Sequence, residues 1–87
     1  SYAEYEVLHE ADSGATLAQL ARTGLAQSTL ADAVVALAGR GLVTVRTRAG
    51  AGLSAAELRA LVDDPHSWAL SAHSVTVRVT DAGAQYL

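Results

Sequence analysis

Thr16-Leu-Ala-Gln-Leu-Ala-Arg22, Gln27-Ser-Thr-Leu-Ala-Asp-Ala-Val-Val-Ala-Leu37 and Gly41-Leu42-Val43 follow one another across short gaps, and their spacing decides the fold. Thr16 and Gln19 form a Thr-x-x-Gln capping box at a helix start, with Leu17, Leu20 and Ala21 facing inward. Gly24 ends that helix at a position suited to positive φ. A longer helix begins at Gln27 or Ser28, and Leu30, Ala33, Val34 and Leu37 make its core-facing stripe at i, i+3, i+4 and i+7. Gly39 and Gly41 stop it. From Leu42 to Arg48 the chain alternates, with Val43, Val45 and Thr47 on one face and Thr44, Arg46 and Arg48 on the other, as in a half-buried strand.

Upstream, Tyr5, Leu8 and Ala11 recur at helical spacing with Val7 beside them, and Asp12-Ser13-Gly14 is a turn that leaves Ala15 as a short extended residue. Downstream, Val75, Val77 and Val79 alternate with Ser74, Thr76, Arg78 and Thr80, giving an antiparallel partner for the first strand. Residues 49–73 between the strands far exceed the roughly 2 to 5 residues of a hairpin loop. Within them, Ser54 and Glu57 cap a helix whose Ala55, Leu58, Leu61 and Val62 share a face, ended by Asp63-Asp64-Pro65. That face is expected to cover the domain's own core; the competing reading is a groove for self or another protein along 53–70. Trp68 and Leu70 are read as core or as an interface anchor. Thr80 or Asp81 caps a last helix from Ala82 to Leu87. The expected fold is α+β: one domain over residues 1–87, a small helix-turn-helix with a wing, a two- or three-stranded antiparallel sheet, and a helical insertion in the wing at 49–73.

The 87 residues are 51% hydrophobic, enough for one compact core but not for an enclosed active site, so a binding role is expected and an enzyme is not. Absence of cysteine excludes disulfides, thiolate nucleophiles and zinc ribbons. No run reaches the ~18 apolar residues of a membrane span, and Ser1 begins no signal peptide, so the expected location is cytoplasmic. His9, His66 and His73 have no metal-ligand spacing, and Asp63, Asp64 and His66 read as a helix stop. Ala49-Gly-Ala-Gly52 lacks the lysine and hydroxyl of a phosphate loop, and no Ser, His and Asp form a triad. No cofactor or metal is expected.

A net charge of −3 disfavours nucleic acid as a whole-chain property, yet the charge is unevenly placed. Glu4, Glu6, Glu10 and Asp12 make the first twelve residues acidic, whereas Arg22, Arg40, Arg46 and Arg48 stand against only Asp32 from 13 to 48. Arg46, Arg48 and Arg78 share one strand face, where like charges repel unless phosphate or a carboxylate neutralises them. Arg22 and Arg40, at helix ends, are candidates to pair with phosphates, and Arg40 is equally a favourable charge at a helix C-terminus. The second helix of the motif presents Gln27, Ser28, Ala31, Asp32, Val35 and Ala38 outward, with Thr29 beside them; base reading would rest on Gln27, hydroxyls and contact of Ala31 with thymine methyls. The rival is an apolar Ala31, Val35 and Ala38 face that docks on a protein or a second copy without direct DNA binding.

Thr16-Leu-Ala-Gln-Leu-Ala, Gln27-Ser-Thr-Leu, Leu37-Ala-Gly-Arg-Gly-Leu-Val43 and Val79-Thr-Asp-Ala-Gly83 together resemble the winged-helix core of MarR-type bacterial regulators, over roughly residues 5–48 and 74–87. The resemblance implies a double-stranded DNA partner in transcription regulation, with the helix over 28–38 in the major groove, Ser28 and Thr29 at contact positions, and the hairpin of 44–48 and 74–78 on phosphate or minor groove. It also implies a dimer. Where the family has a hydroxyl and then a basic residue, this chain has Ala31 and Asp32, and the long dimerisation helices are missing, so it reads as a core module cut from a larger protein.

Overall fold

The computed structural model describes residues 2–12, 14–47, 50, 53–68 and 75–86. In chain order they form α1 (Tyr2–Glu10), β1 (Ala15–Thr16), α2 (Leu17–Ala21), α3 (Gln27–Gly39), β2 (Val43–Arg46), α4 (Ala55–Asp63), a 3-10 turn (Pro65–Trp68), β3 (Thr76–Val79) and α5 (Asp81–Ala84). The fold is α+β, with five helices and a three-stranded antiparallel sheet in the order β1-β3-β2, and it is consistent with a small winged helix. Ala15 pairs with Val77 and Thr16 with Thr76, while Val43, Thr44, Val45 and Arg46 pair with Val79, Arg78, Val77 and Thr76.

Local chemistry sets the helix starts. Thr16 accepts from the Gln19 backbone N–H at 3.2 Å while its own N–H donates to Gln19 Oε1 at 2.8 Å, so both halves of the capping box are made. Ser54 and Glu57 do the same for α4 at 3.1 and 3.0 Å. Gly24 has φ of 86°, and Gly41, at 74°, turns the chain out of α3 so that Leu42 N–H donates to Leu37 O at 2.9 Å.

Helical and strand periodicities bring Val7, Leu17, Leu20, Leu30, Val34, Leu37, Val62 and Val77 to zero exposure in one continuous core. Several inward assignments are corrected. Tyr5, Ala21 and Ala55 are exposed, and Ala3 and Ala18 are buried instead, because each helix turns slightly differently toward the core than its leucines alone indicate. The insertion helix does cover the domain's own core. Leu58 and Val62 are buried, Leu61 and Leu53 pack against the cluster, and α4 lies along α3. Trp68 is a core residue: it is buried, and its indole Nε1–H donates to Val62 O at 2.8 Å, satisfying the polar tip of an otherwise apolar side chain. Leu70, Ser74 and Leu87 lie outside the described residues, as does His73. Val75 is buried just ahead of β3, and Thr80, not Asp81, caps the last helix, accepting from Gly83 N–H at 3.2 Å.

The end of the chain is fastened to the turn after α3. Thr80 N–H donates to Leu42 O at 3.0 Å, Thr80 Oγ1 donates to Gly41 O at 2.7 Å, and Gly83 sits so close to the Leu42 carbonyl that a Cβ there collides with it. Gly39 faces open space. Gly83→Ala is therefore expected to cost about 1 to 3 kcal/mol through forced overpacking, and Gly39→Ala to be neutral or stabilising by up to about 1 kcal/mol. Thermal unfolding of the two variants beside the parent chain measures the difference.

Candidate nucleic-acid interface

The thirteen-residue α3 starts at Gln27 behind Ala26, which supplies no side-chain cap, so the amides of the first turn are not capped by that side chain. Gln27, Ser28 and Thr29 are all exposed there, as a groove-reading turn requires. Ala31 is not. Its exposure is 1%, within the core, which removes it from any contact with a thymine methyl. Val35 and Ala38 are half-buried against the same core, and Ala38 lines one crevice with Leu53 and Leu58 of the insertion. The outward face expected of Gln27, Ser28, Ala31, Asp32, Val35 and Ala38 is thus split. Successive helical residues turn by about 100°, and α4 lies along α3 on the side of Ala31, Val35 and Ala38, leaving Ser28, Thr29, Asp32 and Ala36 open beside Gln27. The same packing buries Ala31 and leaves Val35 and Ala38 half-buried.

Asp32 is held by the insertion. Arg59 Nη1 donates to Asp32 Oδ1 at 2.9 Å, while its Nε and Nη2 form a fork on Asp63 at 3.0 and 2.7 Å. Donating hydrogen bonds to Asp63 and, less strongly, to Asp32 raises the Arg59 pKa, and accepting them from Arg59 holds Asp63 below the usual carboxylate range. The Ser54 backbone and hydroxyl hydrogen bonds lower Glu57, and the His66 backbone N–H does the same for Asp64. The i, i+4 spacing of Arg59 and Asp63 was open to sequence reasoning; the reach to Asp32, 27 residues away, was not.

The arginines divide by partner. Arg40 is an ion-pair partner of Glu4 across α1 and α3, so it is partly neutralised as a phosphate contact. Arg46 and Arg78 are exposed on one face of the sheet, and no ion pair joins either of them, or Arg22, to a carboxylate among the described residues. Arg48 lies outside the described residues. The strand register places Thr44 opposite Arg78 and Arg46 opposite Thr76, with Thr16 on the other side of Thr76. Two guanidinium groups and three hydroxyls therefore share a sheet face whose paired positions include no carboxylate. This chemistry suits phosphate oxygens: forked donors for charge and short donors between them.

Among the described residues no three His, Asp or Glu groups come together to hold a metal ion. No helix among them is long and apolar enough to cross a membrane. No family model, curated protein or solved structure matches the chain.

The Arg59 cluster has a defined pH signature. Because the folded Asp63 pKa is depressed, its contribution is present above the unfolded carboxylate pKa and is lost as pH falls through the folded value. Arg59→Ala is expected to bring the Asp63 titration midpoint, followed by carboxyl NMR shifts, back up toward that of an ordinary aspartate, and to flatten the acid limb of the stability curve. An unmoved midpoint contradicts the fork as the cause.

Proposed function

We propose that this chain is a winged-helix-type module that binds double-stranded DNA, gripping the phosphate backbone through Arg46 and Arg78 and presenting Gln27, Ser28 and Thr29 to the groove. The observation that carries the reading is the contrast among the arginines. Arg40 and Arg59 are spent on Glu4, Asp32 and Asp63, whereas Arg46 and Arg78 stand on a hydroxyl-lined strand face with no carboxylate among its described residues. Like charges on neighbouring strands raise the energy of the free domain, and an anionic partner relieves that repulsion. Arg22, next to the turn into α3, is a third candidate for phosphate contact.

Base reading is the smaller part. The open arc of α3 carries hydroxyls and Asp32 but no cation, so sequence preference rests on Gln27, Ser28 and Thr29 within one turn, and discrimination by a single copy is weak. Useful affinity then requires several copies or a larger parent protein, such as a bacterial transcription regulator or a protein that uses this module to reach DNA. The rival role, a winged helix that only assembles proteins through Ala31, Val35 and Ala38, has less surface to use, because Ala31 is buried and Val35 and Ala38 are half-buried beside α4.

With phosphate contacts from Arg22, Arg46 and Arg78, log affinity for a duplex falls against log salt with a slope of about −2.7, so affinity drops about 40-fold between 50 and 200 mM salt. Arg46→Ala/Arg78→Ala is expected to shallow the slope by about 1.8 without lowering the thermal unfolding temperature, since it also removes the repulsion between the two strands. Fluorescence anisotropy with a labelled duplex across that salt range measures both. Affinity indifferent to salt, or an unchanged slope in the double variant, rules the proposal out.

A further inference from the structure

We infer that Asp32 and Arg59 together form a base-reading unit on the open face of α3, with a C·G pair as its target. The inference rests on the DNA-binding reading above and adds a fourth reading position beside Gln27, Ser28 and Thr29. Ser28, Asp32 and Ala36 follow one another at i, i+4 spacing and all three are exposed, so they mark the line along which α3 meets a partner. Asp32 holds the middle of that line. A lone carboxylate there repels DNA. Arg59 comes from α4, on the side of Ala31, Val35 and Ala38, and reaches across to Asp32, with Nη1 donating to Oδ1 at 2.9 Å. The insertion thus supplies the cation that the open arc of α3 lacks.

Arg59 is neutralised as a charge but not exhausted as a donor. A guanidinium carries five N–H groups, of which Asp63 takes two and Asp32 one. Two N–H groups remain without a partner among the described residues, and Asp32 Oδ2 accepts no hydrogen bond among them. The Arg59 and Asp32 side chains are 42% and 71% exposed, so packing closes off neither. The fork on Asp63 fixes the plane of the guanidinium before any contact is made. One cation between two carboxylates leaves the cluster at a net charge of −1, which disfavours phosphate and leaves uncharged base edges as the fitting target. On the major-groove edge of a C·G pair, two acceptors, guanine N7 and O6, stand next to one donor, the cytosine N4 amino group. Arg59 offers donors to the acceptors, and Asp32 Oδ2 accepts from the amino group. An A·T pair sets its amino donor between two acceptors and adds a methyl group on the thymine side, so the same unit makes fewer bonds to it.

Selection of bound molecules from a pool of duplexes with a randomised core, read by sequencing, tests the inference on the whole chain. The parent chain is expected to enrich a C·G pair at one position about 5-fold or more over the other pairs. Asp32→Asn trades an acceptor-only group for one that also donates, and is expected to move that position toward adenine. Arg59→Ala is expected to lose the enrichment there. Both variants alter exposed ion pairs only, so thermal unfolding stays close to that of the parent. The salt slope carried by Arg46 and Arg78 is likewise unchanged. Salt-dependent duplex binding with no base preference, or with the same preference in both variants, overturns this inference and leaves the DNA-binding reading standing. Enrichment of a base other than cytosine at the position that Asp32→Asn alters overturns the C·G assignment. A chain that binds no duplex overturns both.

Discussion

The fold depends on the central position of β3. Thr76–Val79 pairs with β1 on one side and β2 on the other, and those strands have no other connection within the sheet. Val77, fully buried, faces both Ala15 and Val45 across the ladders, so one residue joins the segment before the helix pair to the wing. Backbone bonds extend the join: Val79 N–H donates to Ala11 O at 3.2 Å and Thr80 N–H to Leu42 O at 3.0 Å. β3 follows a long insertion, and its pairing must recover the loop-closure entropy of bringing it back beside β2. The insertion lowers that burden, because α4 and Trp68 bury themselves on α3, α2 and the core instead of hanging free.

The same packing controls which charges are available. Without α4, α3 would expose Ala31, Val35 and Ala38 as an apolar strip and leave Asp32 without its Arg59 partner. With it, Ala31 is buried, Val35 and Ala38 are half-buried, and Arg59 bridges Asp32 and Asp63, so the arginines without a carboxylate partner on the described sheet face are Arg46 and Arg78. Exposed ion pairs of this kind contribute little to stability. Their consequence lies in how charge is distributed: a carboxylate satisfied within the domain repels an approaching phosphate less than one standing alone, and an arginine already committed attracts it less.

Much of the scaffold was legible in the sequence because its signals are local. The Thr16–Gln19 and Ser54–Glu57 boxes, the Gly24 and Gly41 turns, and the alternation of Val43, Val45, Val77 and Val79 each depend on residues within a few positions of one another. Contacts between distant segments were not legible. Ala31 looked like an open groove-facing position because Leu30, Ala33, Val34 and Leu37 already made a complete stripe; only a helix arriving from 24 or more residues downstream widens the buried arc to include it. Tyr5 failed for the opposite reason. Its spacing with Leu8 fits a core stripe, yet the ring stands beside the core as the wall of a cavity, a placement that periodicity alone does not separate from burial.

An acidic total and a basic contact face are compatible because they act over different distances. Beyond a Debye length of about 8 Å at physiological salt, the net charge of −3 is largely screened, and it gives no long-range attraction toward a polyanion. Arg46 and Arg78 would act within hydrogen-bond range, where their forks and the neighbouring threonine hydroxyls face an approaching anion. On the DNA-binding reading proposed above, such a surface would capture DNA only after close approach, and encounter would be slow by the standards of basic DNA-binding domains. That reading leaves the finding of a site to whatever chain or assembly would hold the module near DNA, with the arginine pair fixing the docked position and the exposed face of α3 supplying the discrimination.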